Sequence, residues 1–217
     1  MKRCSELLEA APNGWVMEYY VGKDYSLGGI TLLCKFDGQR VTMASQIAGA
    51  DETVSSLYSV KSEQATMLSF DTYNYLVHYF GQPQGSMADD PNGTLGGDYE
   101  FVISDATADR IELKGKKYGN RIVMKAFSAD QTWKQYLTRI KKVEDDAFFY
   151  EYDLRMDGLY TGQMLRSNYT FIVTYYDEVG KVHQKTVPFM FTTDGMRFHE
   201  PVTIDGQTMQ NFVWKNE

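Results

Sequence analysis

The chain has 217 residues, of which 43% are hydrophobic, enough to fill the core of one large domain or two small ones. Its formal net charge of −7 and isoelectric point near 5.0 argue against non-specific binding to nucleic acid or anionic membranes, because phosphate groups attract clustered Lys and Arg. Two cysteines are too few for a disulfide framework or a multi-cysteine metal site.

The N-terminal residues are basic at first but lack the apolar core of a signal peptide, so Cys4 cannot be identified as a lipidated cysteine. No segment approaches the ~20 apolar residues that cross a bilayer. Two alternatives are open: a cytoplasmic chain, or an export segment upstream of Met1. The next residues, Ser5 to Ala11, predict a short helix with Ser5 as its N-cap, ended by Pro12.

From Trp15 onward, apolar and polar residues alternate in short runs separated by tight turns, which is typical of antiparallel strands. The predicted strands of the first half are 15–21, 30–36, 41–45, 57–60, 67–70, 99–104, 110–114 and 121–125. Eight such strands are what an up-and-down barrel requires. Cys34 follows Ile30 and Leu32 on one face, so we expect a buried free thiol. Tyr73, Leu76 and Phe80 have helical spacing, although a strand is an alternative there.

A helix is predicted from Ser128 to Glu144, with Ser128 and Gln131 as its capping box. Residues 147–156 fit a helix or a strand equally well. Alternation returns in four further segments, at 169–175, 182–191, 196–204 and 208–214. Pro188 interrupts one of them, so we expect it at a sheet edge or a bulge, because proline cannot donate to the ladder.

These patterns predict a mostly β protein in three parts. Residues 1–127 form a short helix and a lipocalin-like antiparallel barrel or curled sheet, residues 128–146 a connecting amphipathic helix, and residues 147–217 a smaller antiparallel β unit. Whether the two β units pack as one domain is open, as is the oligomeric state.

The order of several blocks resembles an uncharacterised Bacteroidetes lipoprotein family, a 4302-like domain of unknown function. The blocks are NGWVMEYY, LLCKFDGQRVTMASQ, LSFDTYNYLVHYF, GGDYEFVI, IELKGKKYGNRIVM and DGMRFHEPVTIDGQTMQNFVW. The resemblance spans nearly the whole chain. It implies the cell envelope, with an outer-membrane lipid anchor that this sequence does not contain, among proteins exposed to glycans and to a host. It brings no catalytic or binding residues.

Signatures of catalysis and metal binding are missing from the sequence. His78, His183 and His199 are far apart and lack ligand spacing, and no GxSxG elbow is present. Asp89, Asp90 and Asn92 offer oxygen ligands but not at EF-hand spacing, so a solvated loop is favoured over a calcium site. We therefore predict no metal and no cofactor, and favour a noncatalytic protein.

Acidic pairs offer one further chemical alternative. Asp145 with Asp146, or Glu151 with Asp153, could supply the two carboxylates of a glycosidase, although neighbouring acidic residues are typical of a surface. The basic turn with Lys116 and Lys117 is interpreted as a solvated hairpin loop, with an anion site as the alternative.

Aromatic residues are the remaining lead. Exposed rings beside polar groups are a common way to hold a ligand, and sugar faces in particular. Tyr73, Tyr75, Tyr79 and Tyr118 lie near turns or loops and are our candidates for an exposed binding platform, whereas Trp15, Trp133 and Trp214 fit the core. The first hypothesis is binding of a glycan or another small ligand at the envelope. The second is a structural or protein-interaction module, favoured if the barrel interior is filled. The third is a hydrolase with an unrecognised carboxylate site.

Overall fold

The structure is a computed structural model that describes residues 2–62, 64–83, 93–204 and 206–215. It is mostly β, as predicted, and begins with helix α1 (Lys2–Ala10). Eight antiparallel strands then close into a barrel in the described part of the chain, in the order β1 to β8. These strands are β1 (Trp15–Tyr20), β2 (Gly29–Asp37), β3 (Arg40–Ser45), β4 (Val54–Ser62), β5 (Thr66–Phe70), β6 (Glu100–Ala106), β7 (Arg110–Gly115) and β8 (Arg121–Ala126).

Helix α3 (Trp133–Asp146) follows the barrel, and after it the strands form a curled six-stranded antiparallel sheet. Its strands are β9 (Glu151–Met156), β10 (Leu159–Ser167), β11 (Thr170–Tyr176), β12 (Val182–Phe191), β13 (Gly195–Ile204) and β14 (Gln207–Val213). The chain divides into two compact units. The barrel unit contains residues up to Tyr25 together with Ile30–Leu137, and the sheet unit contains Ser26–Gly29 together with residues from Thr138 onward.

The barrel unit has a core of aromatic side chains from several strands. Tyr19 and Phe101 pack edge to face with centroids 5.8 Å apart, and Phe70 packs on Phe101 at 6.3 Å. All three side chains are fully buried, as are Met17 and Leu32, so each contributes about 1.5–3 kcal/mol of hydrophobic stabilisation. Large apolar side chains thus meet across the barrel.

Strand β2 is buried on both of its faces, which explains its nearly continuous apolar sequence. On one face the free thiol of Cys34 is fully buried, as predicted, and burial raises its pKa. On the other face Leu33 belongs to a cluster with Val16, Phe127 and Leu137, the last from the first turns of α3. The start of the helix therefore covers one side of the barrel.

The capping of α3 differs from the prediction. The helix begins at Trp133, and its capping box is formed by Thr132 and Gln135: the Thr132 Oγ1 accepts from the Gln135 N–H at 3.2 Å, and the Gln135 Oε1 accepts from the Thr132 N–H at 2.9 Å. Ser128 lies one turn earlier and donates to Asp130 instead. The spacing of Ser128 and Gln131 suited a cap, but the chain has not yet entered the helix at these residues.

Other local predictions had mixed outcomes. Helix α1 begins at Lys2, so Ser5 lies inside the helix and is not its N-cap. The ambiguous segment after α3 contains the strand β9. Pro188 lies in β12, an inner strand and not an edge, at the residue where pairing with β11 ends and just before pairing with β13 begins. The Phe189 N–H donates to the Tyr169 carbonyl at 2.9 Å, so the Pro188 nitrogen points away from β11 and costs no hydrogen bond to it.

Candidate functional site

The candidate site is built around helix α2 (Tyr75–His78), which follows β5 in the barrel unit. Asn74 is its N-cap: the Oδ1 accepts from the Leu76 N–H at 3.1 Å, while the Nδ2 donates to the Ser56 Oγ at 3.2 Å. Asn74 is fully buried, and Ser56 belongs to β4. One side chain therefore both starts the short helix and fixes it to the barrel wall.

Three aromatic rings lie side by side next to this helix, and we call Tyr73, His78 and Tyr99 the aromatic shelf. The His78 ring stacks on Tyr99 with centroids 4.7 Å apart and planes inclined by 22°, and the centroid of the Tyr73 ring lies 5.5 Å from that of His78. Tyr73 is 63% exposed and Tyr99 43% exposed. Gln82 donates from its Nε2 to the Tyr73 hydroxyl at 2.5 Å. The shelf is an exposed aromatic surface with a polar rim.

A small cleft of about 110 Å³ adjoins the shelf at Tyr99. Its lining comes from the turn after α2, the start of β6 and the β7–β8 loop: Gly81, Gly97, Asp98, Tyr99, Glu100, Lys116, Lys117 and Tyr118. Small-molecule pockets usually have volumes of ~300–1,000 Å³, so this cleft accommodates a substituent of a ligand and not the whole of one.

The β7–β8 loop is held in place by the buried carboxylate of Asp98. Its Oδ1 accepts from the backbone N–H of Lys117 at 2.7 Å and of Tyr118 at 3.1 Å, and its Oδ2 accepts from the Asn120 N–H at 3.1 Å. Charge-assisted bonds of this kind are about twice as strong as neutral ones. Gly115 makes room for the carboxylate, because a Cβ there would lie 1.9 Å from the Asp98 Oδ2.

A buried tyrosine completes this network inside the barrel. Tyr19 donates its hydroxyl to the Asp98 carbonyl at 2.8 Å and accepts from the Asp98 N–H at 2.9 Å. Burial, and then the nearby Asp98 charge, raise the pKa of Tyr19 well above its ordinary value, so the hydroxyl keeps its proton. The backbone and the carboxylate of Asp98, which lines the cleft, are therefore both held by hydrogen bonds to neighbouring residues.

The charges around the cleft are mixed. The Lys116 Nζ lies 3.3 Å from the Glu100 Oε2, and the Lys117 Nζ lies 4.6 Å from the centre of the Tyr118 ring. Tyr118 also exchanges a hydrogen bond of 2.9 Å with Thr94. Both lysines thus contact residues of the same loop or its neighbour, which agrees with the solvated hairpin interpretation of the basic turn.

The structure places the four candidate tyrosines in different surroundings. Tyr73 is part of the aromatic shelf, and Tyr118 lines the cleft beside Tyr99. Tyr75 lies apart: its hydroxyl donates to Glu52, and this hydrogen bond raises the pKa of Tyr75 to about 12. Tyr79 is exposed and packs edge to face on Phe80. Binding by any of the four stays a prediction.

Two residues of the shelf were missed by sequence reasoning. Tyr99 was included in the predicted strand 99–104 and not among the candidate site residues, but β6 begins at Glu100 and the Tyr99 ring remains exposed. His78 was assigned no role, and its place against Tyr99 depends on a contact between residues that are distant in sequence. The GGDY sequence ahead of β6 was a usable signal, since glycines before an aromatic residue often mark a loop.

Alternative chemistries find little support in the described residues. Within them, no group of three or more His, Cys, Asp or Glu side chains is arranged to hold a metal ion. Asp89, Asp90 and Asn92 lie outside the described residues. Of the acidic pairs, Asp146 pairs with Lys142 at 2.8 Å and Asp153 with Arg155 at 2.8 Å, both as ordinary surface ion pairs.

Fold and site together define a mostly β protein with a filled eight-stranded barrel and an aromatic surface on its outside. The family model described as Domain of unknown function (DUF4302) matches residues 1–216, so the chain belongs to that family. No curated protein and no solved structure matches the chain. No helix within the described ranges is long and apolar enough to span a bilayer.

Proposed function

We propose that this protein is a noncatalytic binding protein of the cell envelope that holds a glycan on the outside of the barrel. The observation that carries the proposal is the aromatic shelf. Tyr73 and Tyr99 expose their rings, and the contacts with His78 hold them in fixed positions. Aromatic faces pack against the apolar C–H faces of sugars, while nearby polar groups bond the hydroxyls.

The cleft supplies the polar part of this arrangement. Glu100, Lys116 and Tyr118 line it next to Tyr99, so a sugar on the shelf can direct one substituent into it. The small volume suits shallow binding of a chain that extends along the surface. A filled barrel interior argues against a ligand held inside, as lipocalins hold theirs.

Envelope location and lipid anchoring are part of the same proposal. They rest on family membership and on the sequence resemblance, and on no residue of the site. Mass spectrometry of the mature protein from membrane fractions tests them: a diacylated N-terminal cysteine supports the proposal, and an unmodified soluble product contradicts it.

The binding test combines a glycan array with calorimetry. We expect micromolar to millimolar binding of at least one glycan by the full chain. Tyr99→Ala should weaken it about threefold to tenfold, the loss expected for one stacking contact. Tyr176→Ala is the matched control, because Tyr176 is a similarly exposed tyrosine in β11 of the other unit. An empty array, or equal affinities of the two variants at unchanged stability, would contradict glycan binding on the shelf.

A second candidate function is a protein-interaction module. The observation that favours it is the filled barrel, in which Tyr19, Phe70 and Phe101 occupy the interior. A face or an edge of a sheet, and not a cavity, would then meet the partner. Blank glycan screens together with specific binding of a defined polypeptide would favour this function over the first.

A further inference from the structure

The second unit is a six-stranded sheet that curls around its own aromatic core. A row of rings crosses the inside of the curl, from Tyr152 on β9 to Phe171 on β11 at 5.5 Å, to Phe198 on β13 at 6.1 Å, and to Phe212 on β14 at 4.8 Å. Phe171 and Phe198 are fully buried. The first and last strands therefore contact the same core from opposite sides.

The two edge strands approach one another but do not pair in the described residues. The ring of Phe149, just before β9, lies beside that of Trp214, just after β14, with centroids 5.9 Å apart and planes inclined by 31°. At the other end, Gln207 donates from its Nε2 to the Asp157 Oδ2 at 3.0 Å. Strands that were directly paired would be ~4.8 Å apart along their whole length and joined by backbone bonds. We call this slot between β9 and β14 the seam.

The two edges of the seam are protected very differently. Exposed strand edges usually carry charges or proline, which prevent pairing with another chain. Strand β9 follows this rule, with Glu151, Asp153 and Arg155 on its exposed face and Asp157 directly after it. Strand β14, with the sequence QTMQNFV, has no charged residue and no proline over seven positions. Its edge is open to pairing.

The backbone geometry shows which groups of β14 face the seam. The Trp214 N–H donates to the Asp194 carbonyl at 2.8 Å, so the ladder bond lies next to the opposed residues Gly195 and Val213 and not between them. In an antiparallel ladder this makes Gly195 and Val213 a non-hydrogen-bonded pair, whose own N–H and C=O groups point away from the partner strand. Asn211 is two residues away and opposite Arg197, so it has the same orientation. The N–H and C=O groups of Asn211 and Val213 therefore point away from β13 and into the seam.

We propose that the β14 edge binds an extended, basic segment of a partner polypeptide as an added strand in the seam. A polypeptide is the occupant because alternating backbone donors and acceptors are satisfied by another strand, whereas a glycan or lipid has no matching ladder. Half-buried Met209 and Phe212 of β14, with Tyr152 and Met156 of β9, offer an apolar wall to every second side chain of that segment.

The charge of the added strand follows from the opposite edge. Glu151, Asp153 and Asp157 against one Arg155 give the β9 side a net charge of about −2, so lysine or arginine on the outward positions is favoured. Because β9 and β14 run in opposite directions, one added strand is antiparallel to one edge and parallel to the other. We expect the antiparallel ladder on β14, since its edge is unprotected and antiparallel pairing is the more stable.

The test uses a capped seven-residue peptide that alternates valine and lysine, matched in length to β14. Calorimetry should detect saturable binding to the full chain. Two control peptides keep the same length: one with N-methyl groups on alternate residues, which removes backbone donors, and one with glutamate for lysine. We expect each control to bind at least about tenfold more weakly, the effect of losing one or two hydrogen bonds or the complementary charge.

A variant of the protein locates the binding. Asn211→Pro removes a backbone donor that faces the seam but none that bonds β13, and should weaken the valine–lysine peptide about tenfold. Asn211→Ala is the matched control and should bind as the wild type does. Amide hydrogen exchange should show that the peptide protects β14, and circular dichroism checks that both variants are folded.

Three outcomes would overturn the proposal. The first is no binding of the valine–lysine peptide, and the second is equal binding of the N-methylated peptide or of Asn211→Pro. The third is a dimer in light scattering that Asn211→Pro abolishes, because the occupant of the edge would then be a second copy of this chain.

Discussion

Replacing Gly115 by alanine should strongly destabilise the barrel unit, because the new methyl group would displace the Asp98 carboxylate. The added Cβ would lie 1.9 Å from the Asp98 Oδ2 and 2.8 Å from the Asn120 nitrogen, closer than a Cβ can approach either atom. Asp98 is buried, so it cannot exchange its backbone partners for water. Hydrogen bonds to a charged group contribute about 1.5–3 kcal/mol each, and the loss of at least one makes about 3 kcal/mol the expected cost.

Urea unfolding followed by circular dichroism measures this cost as the change in the free energy of unfolding. Gly49→Ala is the matched control, since the nearest atom to its added Cβ is 3.5 Å away. Both changes restrict the unfolded chain by a similar amount, so the difference between them isolates the clash at Asp98. A difference below about 0.5 kcal/mol would refute the role of the Asp98 network in holding the β7–β8 loop, because that is the range of an ordinary surface substitution.

Three further predictions test other parts of the barrel unit. Thr132→Ala should lower the free energy of unfolding in urea by about 1 kcal/mol, because it removes the N-cap of α3. Ser128→Ala is the control and should change it by less than about 0.3 kcal/mol. Equal effects of the two substitutions would contradict the observed cap. Tyr19→Phe should cost about 1–2 kcal/mol in the same measurement, since the Asp98 carbonyl loses its buried donor, and an unchanged midpoint would argue against that bond. Burial raises the pKa of Asp71, but the nearby Ser59 hydroxyl and the hydrogen bonds from Ser69 at 2.7 Å and Lys61 at 3.1 Å outweigh it and leave the pKa lowered. Carboxyl NMR titration should show this lowered pKa, and Lys61→Met should bring it back toward its ordinary value. Because folding lowers this pKa, Asp71 stabilises the folded protein at pH values above the unfolded pKa of about 3.9. This contribution to stability is lost as the pH falls through the folded pKa. An Asp71 pKa that does not change in Lys61→Met would contradict the role of the lysine.

The strands of the barrel were predictable because their information is local. Residues such as Ile111, Leu113 and Ile122 alternate with charged neighbours, and the barrel buries all three of these side chains. Boundaries of helices were less predictable. Ser128 with Gln131 and Thr132 with Gln135 are both plausible capping boxes, and the choice depends on where β8 ends and where Leu137 meets the barrel.

The candidate site was predictable in part. Tyr73 and Tyr118 were predicted to be exposed aromatics near turns, which is a local property of the sequence; Tyr73 is exposed, whereas Tyr118 is half-buried. The stacking of His78 on Tyr99 and the Asp98 network were not predictable, because each joins residues that are distant in sequence through the closure of the barrel. The local alternation of apolar and polar residues predicts which face of a strand a side chain occupies, but it does not predict which distant side chain it will contact.

The sequence by itself determined that this protein is mostly β and that a first group of about eight strands is followed by a helix and a second group of strands. It also determined that the chain resembles a single family along most of its length. The tertiary structure alone decided that the first group closes into a filled barrel while the second stops short of closure. The physical reason is that closure depends on pairing between the first and last strands, as between Trp15 and Ala126 in the barrel, and this pairing is set by curvature and core packing across the whole sheet. In the second unit the outermost strands, β9 and β14, are not paired with each other in the described residues, although side chains at both of their ends are in contact.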